Sequence, residues 1–124
     1  MTTETIPGYS FPMLYALGVL LLALGIPLMR RRVKPNWIYG VRFPSTMADE
    51  SVWYDMNARG GRDLVVISVL YLVILTIAWL FGAGWSSAAR FLIPVGFLAV
   101  ALVGSTIYLA IASSRMLRER RGSQ

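Results

Sequence analysis

The sequence predicts an all-α integral membrane protein: three transmembrane helices, with a short amphipathic interfacial helix in the connection between the first two. Three observations predict it. Hydrophobic residues make up 56% of the 124 and charged residues only 15%, against about 45–50% and about 25% in a soluble domain. The excess lies in three uncharged blocks, about 11–29, 64–81 and 91–112, each close to the roughly 20 residues a helix needs to cross hydrocarbon. None of the blocks carries the polar face that a helix of a soluble bundle turns to water. Backbone embedded in lipid must satisfy its own polar groups, so the blocks are helical. The chain, 1–124, reads as a single membrane domain.

The first block is preceded by Met1–Ser10, whose only charge is Glu4, and is followed by Arg30-Arg31-Arg32. A signal peptide has the opposite polarity, so this block reads as an anchor that stays. Gly60-Gly61 can end a helix, and Asp63 can cap the second span. Ser86 or Ser87 can open the third. The third span leads into a basic tail, 113–124, with Arg118, Arg120 and Arg121 at the negative end of the helix dipole and Gly122 as a stop. Pro27 and Pro94 are expected to kink or start helices. Gly18 and Gly25 in the first span, and Ala101, Gly104 and Ser105 in the third, allow close approach. They serve packing within the unit, with a homo-oligomer seam as the second reading.

Topology follows from charge. Arg30, Arg31, Arg32, Lys34, Arg42, Arg59 and Arg62 lie between spans one and two, and Arg115, Arg118, Arg120 and Arg121 follow span three. Only Arg90 lies between spans two and three. The positive-inside rule then puts the amino terminus outside and the long loop and tail in the cytoplasm. The net charge of +6 suits anionic lipid headgroups and gives no reason to invoke nucleic acid. There is no cysteine and no histidine, so no metal site and no cofactor is expected.

The loop 30–63 is where information concentrates, because a plain connector needs neither this length nor Trp37, Tyr39, Phe43, Trp53 and Tyr54. Residues 37–43 alternate as an extended segment that Pro44 closes. Thr46 and Asp49 fit a helix-opening capping box, and a helix over about 46–59 gathers Ala48, Val52, Trp53 and Met56 on one face, with Glu50, Ser51, Asp55 and Asn57 opposite. Asp49 is expected as the cap, Asp55 and Arg59 as a solvated pair, and Trp53 as the interfacial anchor. Arg42, in an apolar run, is expected to be buried and paired with Glu50 or Asp49. Arg30, Arg31, Arg32, Lys34, Arg59 and Arg62 are candidate headgroup contacts.

The run Lys34-Pro35-Asn36-Trp37-Ile38-Tyr39-Gly40-Val41-Arg42-Phe43-Pro44, with Thr46 to Trp53 and Asn57-Ala58-Arg59-Gly60-Gly61 behind it, resembles the loop signature of the SdpI family of small bacterial membrane proteins. The matching positions are Pro35, Asn36, Gly40, Arg42, Pro44, Glu50 and Trp53. Phe43 departs from the small hydroxyl residue that family members often carry there. The resemblance implies a multi-pass protein of the bacterial inner membrane. The family's archetype, which is longer, is an immunity protein that counters a peptide toxin and sequesters a transcriptional repressor. By this resemblance the chain acts through contacts with a peptide toxin, another membrane protein or a cytoplasmic regulator, as an immunity or stress factor, a receptor or an accessory subunit. The rival is a lipid-headgroup-binding or lipid-modifying protein. In it Glu50, Asp49 and Asp55 supply acid–base groups, while Arg42, Arg59 and Lys34 hold phosphate. Carboxylates so spaced on one helix point in different directions, and without histidine, cysteine or a nucleophile motif an enzyme is the weaker reading.

Overall fold

The computed structural model describes residues 10–122. The first nine residues, with Glu4, and the last two residues of the basic tail lie outside the described residues. Four α-helices follow one another: α1 (Ser10–Met29), α2 (Pro44–Ala48), α3 (Glu50–Phe81) and α4 (Ser87–Gly122), with a 3-10 turn at Gly82–Gly84 between the last two. Among the described residues there is no strand. Stretches of α1, α3 and α4 are each long and apolar enough to cross a membrane, so the protein is a multi-pass helical membrane protein. At about 1.5 Å per residue, α3 and α4 are much longer than the roughly 30 Å of hydrocarbon. Both overhang on the side where the 30–43 connection lies, here called the loop face.

α3 is the central element, with α1 and α4 packed on it. The Tyr71 hydroxyl donates to the Leu14 carbonyl at 3.0 Å, and the hydroxyls of Tyr15 and Thr76 lie 2.8 Å apart. Around them Phe11, Ile67, Tyr71, Leu75 and Leu98 form one buried apolar cluster. A second cluster, Val52, Met56 and Leu109, lies at the loop face and takes in Val41 and Phe43. At the far end Ser86 caps α4 by accepting from the Ala89 amide at 3.1 Å, as expected of one of the two serines. Arg90 donates to the last carbonyls of α3, those of Ala78 and Trp79, at 3.2 Å each, and its guanidinium lies over the Phe11 ring.

The structure corrects the expected boundary between the amphipathic helix and the second span. Gly60 and Gly61 do not stop a helix; α3 runs through them unbroken. They are points of close approach. A Cβ at Gly61 would stand 2.4 Å from the Met29 nitrogen and 2.6 Å from the Gly25 oxygen, and one at Gly60 would meet Val41 at 2.8 Å. The predicted helix 46–59 is therefore divided. Its start is the short α2, and the remainder is the overhanging end of α3. Asp63 accordingly caps nothing; it accepts from the Ser105 hydroxyl of α4 at 3.0 Å. Gly18 and Gly25 pack within the unit as expected, against Leu72 and Gly61, whereas Gly104 faces open space.

Candidate functional site

The loop face is a small polar structure built on the end of α3. It begins where α1 ends in a Schellman motif, with the Arg32 amide on the Pro27 carbonyl (3.0 Å) and the Arg31 amide on the Leu28 carbonyl (3.1 Å). Arg31 takes the left-handed position, φ 60°, where glycine is usual because a Cβ costs about 1–2 kcal/mol there.

The chain then folds back on itself. The Asn36 side chain accepts from the amides of Ile38 (2.9 Å) and Tyr39 (2.7 Å) and donates to the Lys34 carbonyl (2.8 Å), a side-chain-made turn. Tyr39 reaches the Leu24 carbonyl of α1 with its hydroxyl, which fastens the turn to the membrane helix. Gly40 sits at φ 124°, a conformation L side chains rarely adopt. A Cβ there would also stand 2.7 Å from the Asn57 oxygen and 2.9 Å from the Trp53 ring. Asn57 is the hub. Its oxygen accepts the Val41 amide at 2.6 Å, and its nitrogen donates to the Trp53 carbonyl at 2.9 Å. Trp53 is fully buried, and its indole donates to the Val33 carbonyl at 2.9 Å.

Phe43 packs into the second apolar cluster and Pro44 opens α2. The Thr46 hydroxyl accepts the Phe43 amide at 2.9 Å and lies 2.8 Å from the Val41 carbonyl, so it closes the turn as half of a capping box. The other half is separate: Asp49 caps α3 through the amides of Ser51 (2.8 Å) and Val52 (3.3 Å). Hydrogen bonds from the Ser51 hydroxyl and the Val52 amide hold its carboxyl below the usual carboxylate range. Ser45 and Ser113, both buried, meet at 2.7 Å and tie α2 to α4.

Beside this platform Asp55 joins three helix ends. One oxygen accepts from Arg31 at 2.6 Å and the other from Arg120 of α4 at 2.5 Å. Burial pushes its carboxyl up, but the two guanidiniums outweigh burial and the net shift is downward. Asp55 thus pairs across the fold rather than with Arg59, as sequence spacing suggested. Arg59 and Arg62 line a groove of about 440 Å³ with Met29, Arg31, Asp55 and Ala58.

Three further expectations change. Arg42 is exposed and donates to the Trp37 carbonyl. It makes no pair with Glu50, which is exposed at the start of α3, or with Asp49, which is committed to the cap. Asn57, placed on the polar face by the helical wheel, is buried because the folded loop covers it. Trp53 is no interfacial anchor for the same reason. The large hydrophobic residues that the loop exposes are Trp37 and Ile38, 78% and 90% exposed. Of the signature positions, Gly40 and Trp53 converge with Asn57, and Asn36 holds the turn that leads to them; Pro35, Arg42 and Glu50 lie on the surface. Arg30, Arg32 and Lys34 are exposed. Sequence reasoning missed Asn57, Ser45, Ser113 and Arg120. A stripe at 53, 57, 60 and 61 was the available signal for the first.

Three membrane-crossing helices with a hydrogen-bonded loop platform on one face define a small multi-pass membrane protein whose distinctive part is that platform. The SdpI/YfhL protein family model matches residues 32–109, so the chain belongs to that family. The match begins just after α1 and takes in the platform, α3 and α4 as far as Leu109, short of Ser113 and Arg120. No curated protein and no solved structure matches the chain.

Proposed function

We propose that this SdpI-family protein works by binding a protein or peptide partner at its loop face, without catalysing a reaction. The observation that carries this reading is the division of labour in the loop. The side chains of Asn36, Thr46, Trp53 and Asn57 are spent on the loop's own backbone, at Tyr39, Val41 and Val33, with Gly40 held against Trp53 and Asn57, and what they hold outward is Trp37 and Ile38, flanked by exposed Lys34 and Arg42. Apolar side chains on a rigid base, rimmed by cations, suit an apolar segment with acidic neighbours. An immunity factor, a receptor for a regulator and an accessory subunit all require such a surface. The lipid-modifying alternative finds less support. Asp49 and Asp55 have carboxyls below the usual range, which suits neither to proton transfer near neutral pH, and Glu50 stands apart from both on the exposed surface.

The charge distribution favours a cytoplasmic loop face in a bacterial inner membrane. Single cysteines at Ser51 and Ser86, probed with an impermeant thiol reagent on intact cells, test this. Ser86 is expected to label and Ser51 not; the reverse pattern inverts the orientation. For the partner, a photoreactive side chain at Ile38 is expected to give a discrete polypeptide adduct in native membranes that the same group at lipid-facing Tyr108 does not. Adducts with lipid alone at both positions would overturn the proposal.

A further inference from the structure

The groove beside Asp55 shares no lining residue with the Trp37–Ile38 surface. We propose that it binds the phosphodiester of an anionic phospholipid, with an acyl chain running down the exposed face of α3. Gly61 packs on Met29, the last residue of the first apolar block, so the groove opens at the level where headgroups lie. Its lining has three guanidiniums, those of Arg31, Arg59 and Arg62, against one carboxylate. Arg31 shares its charge with Asp55 at 2.6 Å. Arg62 is no closer than 4.0 Å to Asp63, and Arg59 makes no ion pair among the described residues. The site is therefore net cationic, its one carboxylate already shared between Arg31 and Arg120, and arginine forks match phosphate oxygens.

Two further features fit the head and the tail of such a ligand. Arg31 occupies the left-handed position that glycine would fill at lower cost, so its guanidinium is kept at the groove in spite of the backbone. Below Arg62, Val66, Val69, Leu70 and Val73 continue the same face at helical spacing, each about half exposed. A second, apolar groove of about 330 Å³ lies among Val69, Leu72, Val73, Thr76 and Ile77. A cationic head site above an apolar track fits a lipid; inorganic phosphate has no use for the track.

The test uses the full chain in nanodiscs of phosphatidylcholine with a minor fraction of phosphatidylglycerol, and reads by native mass spectrometry which lipid stays bound on release. Wild type is expected to retain phosphatidylglycerol selectively. Arg59→Gln and Arg62→Gln should each weaken retention about fivefold, the effect of one cation near an anionic headgroup, and Val69→Trp should weaken it by obstructing the track. Arg118→Gln removes the same charge from the exposed tail and should change nothing. All four sites are exposed, so equal thermal midpoints are expected and confirm that folding is intact. Equal losses with Arg118→Gln would reduce the effect to overall charge and overturn the site. Full displacement by inorganic phosphate, with Val69→Trp silent, would assign the groove to free phosphate and overturn the lipid. Neither outcome touches the Ile38 adduct, which tests the partner surface.

Discussion

Between Val33 and Asn57 the chain is held by side chains bonding to backbone: Asn36, Thr46, Asn57 and Trp53 together satisfy the amides or carbonyls of Val33, Ile38, Tyr39, Val41 and Phe43. Within the spans, α1 and α3 meet mainly through apolar side chains and glycines, with two hydrogen bonds between them, Tyr71 to the Leu14 carbonyl and Tyr15 with Thr76, and much of α4, including Val100, Val103 and Ile107, faces outward. The difference follows from the solvent. In lipid a helix satisfies its own backbone, and close packing, helped by a few side-chain hydrogen bonds, brings helices together. At the loop face the backbone has no helical partner, so specific side chains must supply one. Substitutions should therefore act by different mechanisms in the two regions.

The largest effect is expected for Trp53→Ala, which removes a fully buried ring and leaves the Val33 carbonyl without its donor. A loss of about 3–5 kcal/mol is expected, seen as a large fall in the thermal midpoint in detergent. Asn57→Leu keeps similar bulk but leaves the Val41 amide without its acceptor, for about 1–3 kcal/mol. Gly61→Ala tests the other region. Backbone atoms of α1 at 2.4 and 2.6 Å cannot yield as a side chain would, so a loss at the upper end of the usual 1–3 kcal/mol for overpacking is expected. Gly104→Ala, with nothing within 4 Å, should be near neutral. Equal midpoints for the two alanine variants would refute the glycine contact between α1 and α3.

A smaller effect is expected from the Asp55 bridge. Its folded-state carboxyl lies below the ordinary value, so its contribution is present above the unfolded pKa of about 3.9 and is lost as pH falls through the depressed folded value. Stability from this group should be flat between about pH 7 and pH 5 and decline below about pH 4. Asp55→Asn should remove that decline. Trp37→Ala and Ile38→Ala should be the smallest, within about 0.5 kcal/mol as exposed positions, while abolishing partner capture. A strong loss of stability in either would mean that these side chains belong to the fold.

The spans, the cap at Ser86 and the loop signature were legible because they are local: hydropathy, charge and short-range spacing specify them. The burial of Val52, Trp53 and Met56 was legible too, from the helical wheel. What was not legible depends on contacts distant along the chain. Gly60-Gly61 reads as a stop until Met29 and Gly25 are seen against it, and Asn57 reads as polar surface until residues 40 and 41 fold over it. Asp55 has Arg59 as a local partner of favourable spacing; only the fold brings Arg31 and Arg120 closer. Arg42 was misplaced for a related reason. Its apolar neighbours turn inward, and extended backbone points the residue between them outward.

If the loop is a fixed platform docked on α4, Ser45 and Ser113 stay in contact. The cysteine-free chain allows a direct measurement: oxidative cross-linking of the paired variant Ser45→Cys with Ser113→Cys, whose parent hydroxyls lie 2.7 Å apart, beside Ser45→Cys with Ser114→Cys, in which position 114 is exposed. A fixed platform gives rapid, near-complete disulfide formation in the first pair and little in the second, in native membranes. Equal, slow cross-linking in both pairs would mean that the loop moves freely over the bundle, and would contradict the fixed platform.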